Sequence, residues 1–434
     1  MTKFQLLFLL IFFSCRADLE PDRLPNILLI ISDDQSWTDY GFMGHDNIET
    51  PNLDKLAMES MSFTRGYATA PLCSPSLASI ISGLYAHQHG VTGNDPAFEF
   101  DQQRYSTEWR MTRQPFFEQM KENFYQNKLI TKYLKEAGYR SLQTGKWWLG
   151  SWEEGHFDAG MTHGDPELGG RHGDDGLVIG REGLEEIFGF IKDSRQKEKP
   201  FFVWYAPFLP HTPHDPPGQL LNKYLAMAET ESIARYWAMC EWFDQTCGEL
   251  IDYINDQDLA EETLVIYTTD NGWIQDPDRQ NRFAPRSKQS PYDMGIRTPF
   301  MLRWPGTIQP LIDTVNAVSN IDILPTILAA AGIQPNTEYQ GINLMSEQAR
   351  RTRTTVFAED FAHDVDMEDP IKLLEHRIAI KGFWKLILPE GNDDLESEPE
   401  LYNLAVDPFE RYNLFEEIPE KAEELMIEID RWWR

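Results

Sequence analysis

The chain has 434 residues, 41% of them hydrophobic and 12% aromatic, and its 70 acidic residues outnumber 39 basic ones to give a net charge of −31. This apolar content excludes disorder for the bulk of the chain, and the length suits one large domain with a smaller one. The charge excludes nucleic-acid binding through a generic phosphate-attracting field, so an acidic polymer could bind only at a local basic pocket. Four cysteines are too few for a disulfide scaffold.

The chain opens with Lys3 and an apolar run over residues 6–13. The run is too short to span a bilayer and has the layout of an export signal over residues 1–17. Cys15 directly after Ser14 is similar to a lipoprotein box, which implies a lipid anchor; ordinary cleavage near Ala17 is the alternative. Either route predicts an exported protein: periplasmic, held at the cell surface, or secreted. A membrane contact is expected only through that anchor.

Next comes a β-branched run at 26–31, ending in Ser32-Asp33-Asp34. Residues 127–136 carry helical periodicity, with Gly138 as a C-cap. A strand at 139–144 ends in Gly145-Lys146, and a helix is expected at 184–192. A strand at 201–205 leads to Pro210-His211, and one at 263–267 ends in Asp270-Asn271-Gly272. Cys240 and Cys247 fall in a helical pattern two turns apart, about 10 Å, too far for a disulfide. Both read as core thiols.

Continuous apolar runs suit strands buried on both faces, and strand–helix alternation predicts an α/β sandwich around a mostly parallel central sheet. Ligands of such sheets bind beyond the C-terminal strand ends, where all four polar clusters fall. The last part reads differently. A hairpin over 377–388 turns near Gly382, an acidic loop covers 390–400, and an amphipathic helix covers 419–433. This predicts a small C-terminal antiparallel sheet with one packing helix. The expected division is 22–345 and 346–434.

Adjacent Asp33 and Asp34 repel unless a cation or proton intervenes. Asp270 and Asn271 add a carboxylate and an amide oxygen at a second strand end. Four hard oxygens suit Ca²⁺ or Mg²⁺, and the ligand count favours Ca²⁺. Taken singly, each pair also reads as an ordinary turn or cap.

The resemblance then becomes specific. Residues 25–34 resemble the opening strand of the sulfatase family, whose fold is similar to alkaline phosphatase. Thr50-Pro-Asn-Leu-Asp-Lys-Leu-Ala57 resembles its next block. Ala70-Pro-Leu-Cys-Ser-Pro-Ser76 with Ile80-Ile-Ser-Gly83 is similar to the maturation signature, in which Cys becomes formylglycine. Residues 144–147, 206–213, 268–272, 288–299 and 401–414 resemble later blocks, in order.

The resemblance implies metal ligands at Asp33, Asp34, Asp270 and Asn271, with Cys73 oxidised to formylglycine beside the metal and counted among its ligands. It implies that Lys146, His211 and Lys288 bind sulfate or protonate the leaving oxygen. A maturing enzyme that generates formylglycine becomes an expected partner. Two positions depart from the pattern: Leu77 stands where the family has Arg, and Trp148 where it has His. His87, His89 and His214 are candidate substitutes, His214 foremost because it lies three residues from His211.

Between 94 and 126, Arg104, Arg110 and Arg113 are interleaved with Phe98, Phe100, Tyr105, Trp109, Phe116 and Phe117. Aromatic faces with guanidinium forks suit a sulfated, carboxylated sugar; a solvated segment packed by its own aromatics is the alternative. Arg171 in the 169–175 segment and Arg286 before Lys288 are further substrate-binding candidates, with His214. The leading expectation is an exported, calcium-dependent sulfatase acting on a sulfated polysaccharide or its fragments. The rivals are a phosphodiester or phosphonate hydrolase on the same scaffold and a noncatalytic glycan-binding relative.

Overall fold

The computed structural model describes residues 24–98, 103–104, 106–164, 174–335, 338–390 and 398–433. The expected export segment with Cys15, and Arg171, lie outside the described residues. Among the described residues, no helix is long and apolar enough to cross a membrane.

A nine-stranded sheet forms the body. Its order is Val318–Ser319, Met61–Tyr67, Arg297–Arg303, Thr263–Thr269, Asn26–Ser32, Phe201–Ala206, Arg140–Gly145 and Ala159–Gly160, with Leu311–Asp313 also beside Met61–Tyr67. Arg297–Arg303 runs antiparallel to both neighbours, and the other pairings are parallel. The period-2 alternation of side chains explains why the central strands are apolar throughout. Ile27, Leu29 and Ile31 enter one core while Leu28 and Ile30 enter the other. Phe202 and Trp204 divide from Phe201, Val203 and Tyr205 in the same way. Helices Cys73–Ser82, Thr107–Phe124, Ile130–Glu136 and Ile323–Ala330 cover the first face. Pro51–Met58, Glu185–Gln196 and Glu231–Asp256 cover the second. The layering is the expected α/β sandwich.

Local boundaries differ in places. The helix expected at 127–136 starts at Ile130, with extended Leu129 as its N-cap. Residues 125–128 are taken up by the turn from helix Thr107–Phe124, where Asn127 Nδ2 donates to Phe124 O. The helix expected at 184–192 runs on to Gln196, because Ile191 and Ser194 keep its buried face continuous. The arginine- and aromatic-rich segment contains helix Thr107–Phe124, capped by Ser106, whose Oγ accepts from Trp109 N at 3.1 Å. Cys240 and Cys247 are buried free thiols, as expected.

A second sheet of four antiparallel strands follows: Thr355–Phe361, Leu374–Lys381, Trp384–Pro389 and Glu400–Asn403. Gly382 makes the hairpin turn at φ +58°, a conformation that glycine adopts without Cβ strain. One face packs Ala379, Leu386 and Leu401 on Ala422, Leu425 and Ile429 of helix Pro419–Trp433. The other face packs Ile378, Ile380 and Ile387 on Tyr67 and Ile296 of the body. The small sheet is thereby seated directly beneath the strand that carries the Cys73 loop.

Candidate active site

The parallel strands deliver their polar clusters to one edge. Asp33 and Asp34 follow Asn26–Ser32, Asp270 and Asn271 follow Thr263–Thr269, and Lys146 follows Arg140–Gly145. His211 lies just past Phe201–Ala206, and Cys73 opens its helix after Met61–Tyr67. Because Arg297–Arg303 is antiparallel, it starts at that same edge, which puts the loop bearing Lys288 there too.

Two backbone features show how tightly this edge is built. Asp34 has φ +65°, a left-handed conformation that costs energy for a residue with a Cβ and is held by its surroundings. Gly145 has φ +76°, and a Cβ there would lie 1.9 Å from Ala206 O. Only glycine lets Lys146 N reach Ala206 O, at 2.6 Å.

The side chains converge in a buried cluster. Lys288 Nζ lies 2.6 and 2.7 Å from the two Asp34 oxygens and 3.1 Å from Cys73 Sγ. Lys146 Nζ bonds Asp33 Oδ1 and lies 3.3 Å from Asp270 Oδ2. Asn271 Nδ2 donates to Asp34 Oδ1 at 2.7 Å, and Asp270 Oδ1 accepts from the backbone of Asp34 and Asn271. His211 Nδ1 meets Thr212 O at 2.6 Å; a carbonyl can only accept, so the ring hydrogen is assigned to Nδ1. Nε2 is left facing Asp34 Oδ2 at 3.4 Å.

Burial dominates the electrostatics. It pushes the Cys73 thiol up to about 12, although Lys146 and Lys288 pull the other way. The thiol is therefore protonated at neutral pH and is a poor nucleophile as it stands. Burial also raises Asp33 well above the usual carboxylate range, against the pull of Lys146. It works to lower both lysines, but their carboxylate neighbours outweigh it and hold them above the ordinary lysine value. Both ammonium groups stay charged.

Three carboxylates thus face two ammonium groups, leaving one negative charge over. Asp33 Oδ2 and Asn271 Oδ1 are buried with no hydrogen-bond partner. Buried unsatisfied oxygens beside excess negative charge are costly unless a cation completes them. Asp33, Asp34, Cys73 and His211 bring ligand atoms within 4.8 Å of one another. The acidic cluster with Cys73 therefore fits a metal site.

The departures at 77 and 148 are both apolar neighbours of this cluster. Leu77 is buried in the core that also holds Cys73. Lys146 Nζ lies 4.0 Å from the Trp148 ring centre and 5.7 Å from that of Phe208, a cation–π cradle in place of a polar partner. His87 is not a substitute: it pairs with Glu359 and packs on Trp433. Nor is His89, which bonds Ser79 Oγ at 3.1 Å and is pushed down to about 3 by burial. His214 is buried against Tyr236 and Trp273, one ring removed from Asp34, since Tyr236 Oη donates to Asp34 O at 3.2 Å. Burial pushes it down to about 3.

Arg286 and Arg104 have contacts of their own. Arg286 stacks over Tyr292 at 3.6 Å and donates to Glu410 O. Arg104 sits with Asp95, His363 and Asp364. Two positioning residues went unread in the sequence. Asn94 Oδ1 accepts from Ser74 N at 3.0 Å and fixes the helix start at Cys73. Tyr236 bridges Asp34 O to Asp39, at 2.6 Å from its carboxylate. Nothing local marks either one, because their partners are 20 and about 200 residues away.

The family model "Sulfatase" matches residues 25–333. The chain belongs to the sulfatase family. A second model, N-sulphoglucosamine sulphohydrolase, C-terminal, matches residues 286–431. The chain is similar to the human N-acetylgalactosamine-6-sulfatase, with 29% identity over 74% of this chain and 65% of that protein. It is also similar to an ulvan-active sulfatase of Formosa agariphila, with 26% identity over 75% and 65%. The chain thus spans somewhat under two thirds of these relatives. The fold superposes on the crystal structure of Ps i-CgsB in complex with k-i-k-neocarrahexaose with a TM-score of 0.75 at 21% identity, covering 94% of this chain and 92% of that one.

Proposed function

We propose that this sulfatase-family protein hydrolyses sulfate esters of a sulfated polysaccharide or oligosaccharide, outside the cytoplasm. The observation that carries the reading is the contact of Cys73 Sγ with Lys288 Nζ beside an acidic cluster in which Asp33 Oδ2 and Asn271 Oδ1 make no hydrogen bond. Asp33, Asp34, Asp270 and Asn271 would hold the metal, Ca²⁺ by ligand type and number. Bound there, the ion would supply positive charge to sulfate oxygens, and formylglycine formed from Cys73 would supply the attacking hydroxyl and the neighbouring one that expels sulfate.

The chain's own residues do the rest. Lys288 and Lys146, kept charged by their carboxylates, counter charge on sulfate oxygens. His211 holds Nε2 toward the site through its Nδ1–H bond to Thr212 O and, when the ring carries its second proton on Nε2, gives that proton to the leaving oxygen. Trp148 and Phe208 keep water from the Lys146 side. Arg104 contacts the sugar, and Arg171, Arg286 and His214 remain proposed substrate contacts. The division near residue 345, the export signal, the anchor at Cys15 and the maturing enzyme belong to the same reading.

The deciding experiment is peptide mass spectrometry of Cys73 in protein from its native host, paired with sulfate release from sulfated glycans. Formylglycine with release supports the reading. An intact thiol with glycan binding and no release selects the noncatalytic alternative. Faster turnover of phosphodiesters or phosphonates selects the phosphoryl alternative.

A further inference from the structure

Positive charge on this acidic chain gathers at the edge of the sheet opposite the active site. Residues 128–140 and 192–199 together hold eight basic residues and three acidic ones, against 39 and 70 in the whole chain. The fold brings the two stretches side by side. Strands Arg140–Gly145 and Phe201–Ala206 pair in parallel with Arg140 opposite Phe201, and Arg140 N donates to Pro200 O at 2.9 Å. Both basic stretches therefore lie where these strands start, while Lys146 and His211 lie where they end. At about 3.3 Å per residue, the strand from Arg140 to Gly145 holds the two edges about 17 Å apart.

A cleft of about 500 Å³ opens between the two stretches, lined by Lys135, Tyr139, Arg140, Asp158, Lys197 and Lys199. Lys135 Nζ lies 3.3 Å from Asp158 Oδ1. Asp193 Oδ2 takes both Arg140 Nη1 and Lys197 Nζ at 2.7 Å. Lys199 makes no ion pair among the described residues. Four cations thus meet two carboxylates at the cleft. The other acidic groups of the two stretches do not line it: Glu136 is held by Lys128 at 2.6 Å, and Glu198 is exposed between the two lysines. Lys135 and Lys197 are 58% and 53% exposed, so solvent-screened pairing holds their ammonium groups only weakly.

Excess cations along a cleft attract an anion, and the surroundings decide which kind. Strand Thr263–Thr269 starts at the same edge, two strand spacings or about 10 Å from Phe201–Ala206, behind the exposed Asp256, Asp258 and Glu261. A flat anionic surface such as a membrane would press on those carboxylates as well as on the lysines. A thin anionic chain meets the cleft alone. A sulfated or carboxylated polysaccharide is such a chain, and its repeated anions suit guanidinium and ammonium donors spread along one groove.

We infer that this cleft is a second, noncatalytic glycan-binding site, at the sheet edge opposite Cys73, where Lys135, Arg140, Lys197 and Lys199 take the sulfate or carboxylate groups of a polysaccharide. The inference rests on the sulfatase reading for the class of polymer and adds an anchor for it remote from the chemistry. A polymer held at the cleft presents its other stretches to the active site at the effective concentration set by the intervening chain. A short ester gains nothing from the cleft, because it cannot reach both edges.

The test compares wild type with the double variant Lys197→Ser, Lys199→Ser, both positions being exposed after helix Glu185–Gln196. Calorimetric titrations use iota-carrageenan, chondroitin 6-sulfate and ulvan, with uncharged dextran and phosphatidylglycerol vesicles as the other arms, and turnover of 4-nitrophenyl sulfate is read beside them. The expected result is about tenfold or more weaker binding of the best sulfated polymer by the variant. The salt dependence of that binding becomes shallower, as it does when fewer cations displace counterions. Equal binding by the variant overturns the proposal, as does no binding of any sulfated polymer by wild type. A loss confined to the vesicles overturns it in favour of a membrane. A fall in aryl ester turnover as large as the loss of polymer binding marks a structural role and also overturns it. Lys135→Ser, on the opposite wall, decides by the same criteria if the double variant does not fold. If wild type cleaves no ester, the sulfatase reading fails, and the binding comparison alone judges the cleft.

Discussion

Two buried clusters of carboxylates and cations sit on either side of the Lys288 loop, and they differ in one respect. In the brace to the C-terminal sheet, Lys385 Nζ lies 2.9 Å from Asp293 Oδ1 and 2.7 Å from Glu410 Oε1. Arg297 approaches Asp293 Oδ2 at 3.7 Å, and Glu410 Oε2 accepts from Asp293 N at 2.7 Å. Two carboxylates meet two cations; Asp293 Oδ2 and Glu410 Oε1 make no hydrogen bond, but each lies within ion-pair distance of a cation, at 3.7 Å from Arg297 and 2.7 Å from Lys385. At the candidate active site three carboxylates meet two lysines, and Asp33 Oδ2 and Asn271 Oδ1 make no hydrogen bond. The same residue types thus make a charge-balanced joint in one place and a cluster with one carboxylate in excess in the other. Burial is equal in the two; charge balance separates them.

The largest effect expected is at the active-site cluster. Cys73→Ala removes the formylglycine precursor and lowers sulfate release by about 10⁴-fold or more, read by ion chromatography, while the melting temperature stays near that of wild type. A variant that keeps wild-type turnover would break the assignment of the nucleophile.

Lys385→Met does the reverse. It leaves Asp293 and Glu410 buried without their shared cation and costs about 3–5 kcal/mol, read by urea denaturation. Substituting a charge-balanced joint is therefore expected to cost stability first and turnover second.

Metal sharpens the contrast. Ca²⁺ at about 100 times its Kd is expected to stabilise the protein by about 2.7 kcal/mol, with a matching rise in melting temperature, and a chelator to reverse it. In Asp270→Asn that rise shrinks; in Lys385→Met it persists on a lower baseline. A calcium response that depends on the brace instead would invert the comparison.

The smallest effect is a pH slope. Burial pushes Glu410 from the ordinary glutamate value up to about 7, against the pull of Lys385. Between about pH 4.3 and pH 7 the folded state binds more protons at this site than the unfolded state. Stability from this residue is therefore greatest below about pH 4.3, is lost as pH rises through the window, and is flat above it. Glu410→Gln is expected to remove that component of the slope in thermal melts; an unchanged slope would place the titration elsewhere.

Much of this was legible from residues alone. The uninterrupted apolar runs at 26–31, 201–205 and 263–267 required strands buried on both faces, and a parallel sheet then placed Asp33, Asp34, Lys146, His211 and Asp270 at one edge. The hairpin at Gly382 and the terminal helix followed from periodicity and turn chemistry. Lys288 was different. It precedes a strand instead of following one, so its arrival depends on Arg297–Arg303 running antiparallel, which no local pattern states.

Sequence by itself determined the layers, the strand ends and the residue types of the site, because side-chain period and hydrophobic runs are local properties. The tertiary structure alone decided which charges are left uncompensated. It set Lys146 on Trp148, diverted Arg286 into the brace, and tied His363 O to Asn94, whose side chain holds Ser74 N. Charge balance in a buried cluster depends on partners hundreds of residues apart, and only packing brings them within the few ångströms over which buried charges act strongly.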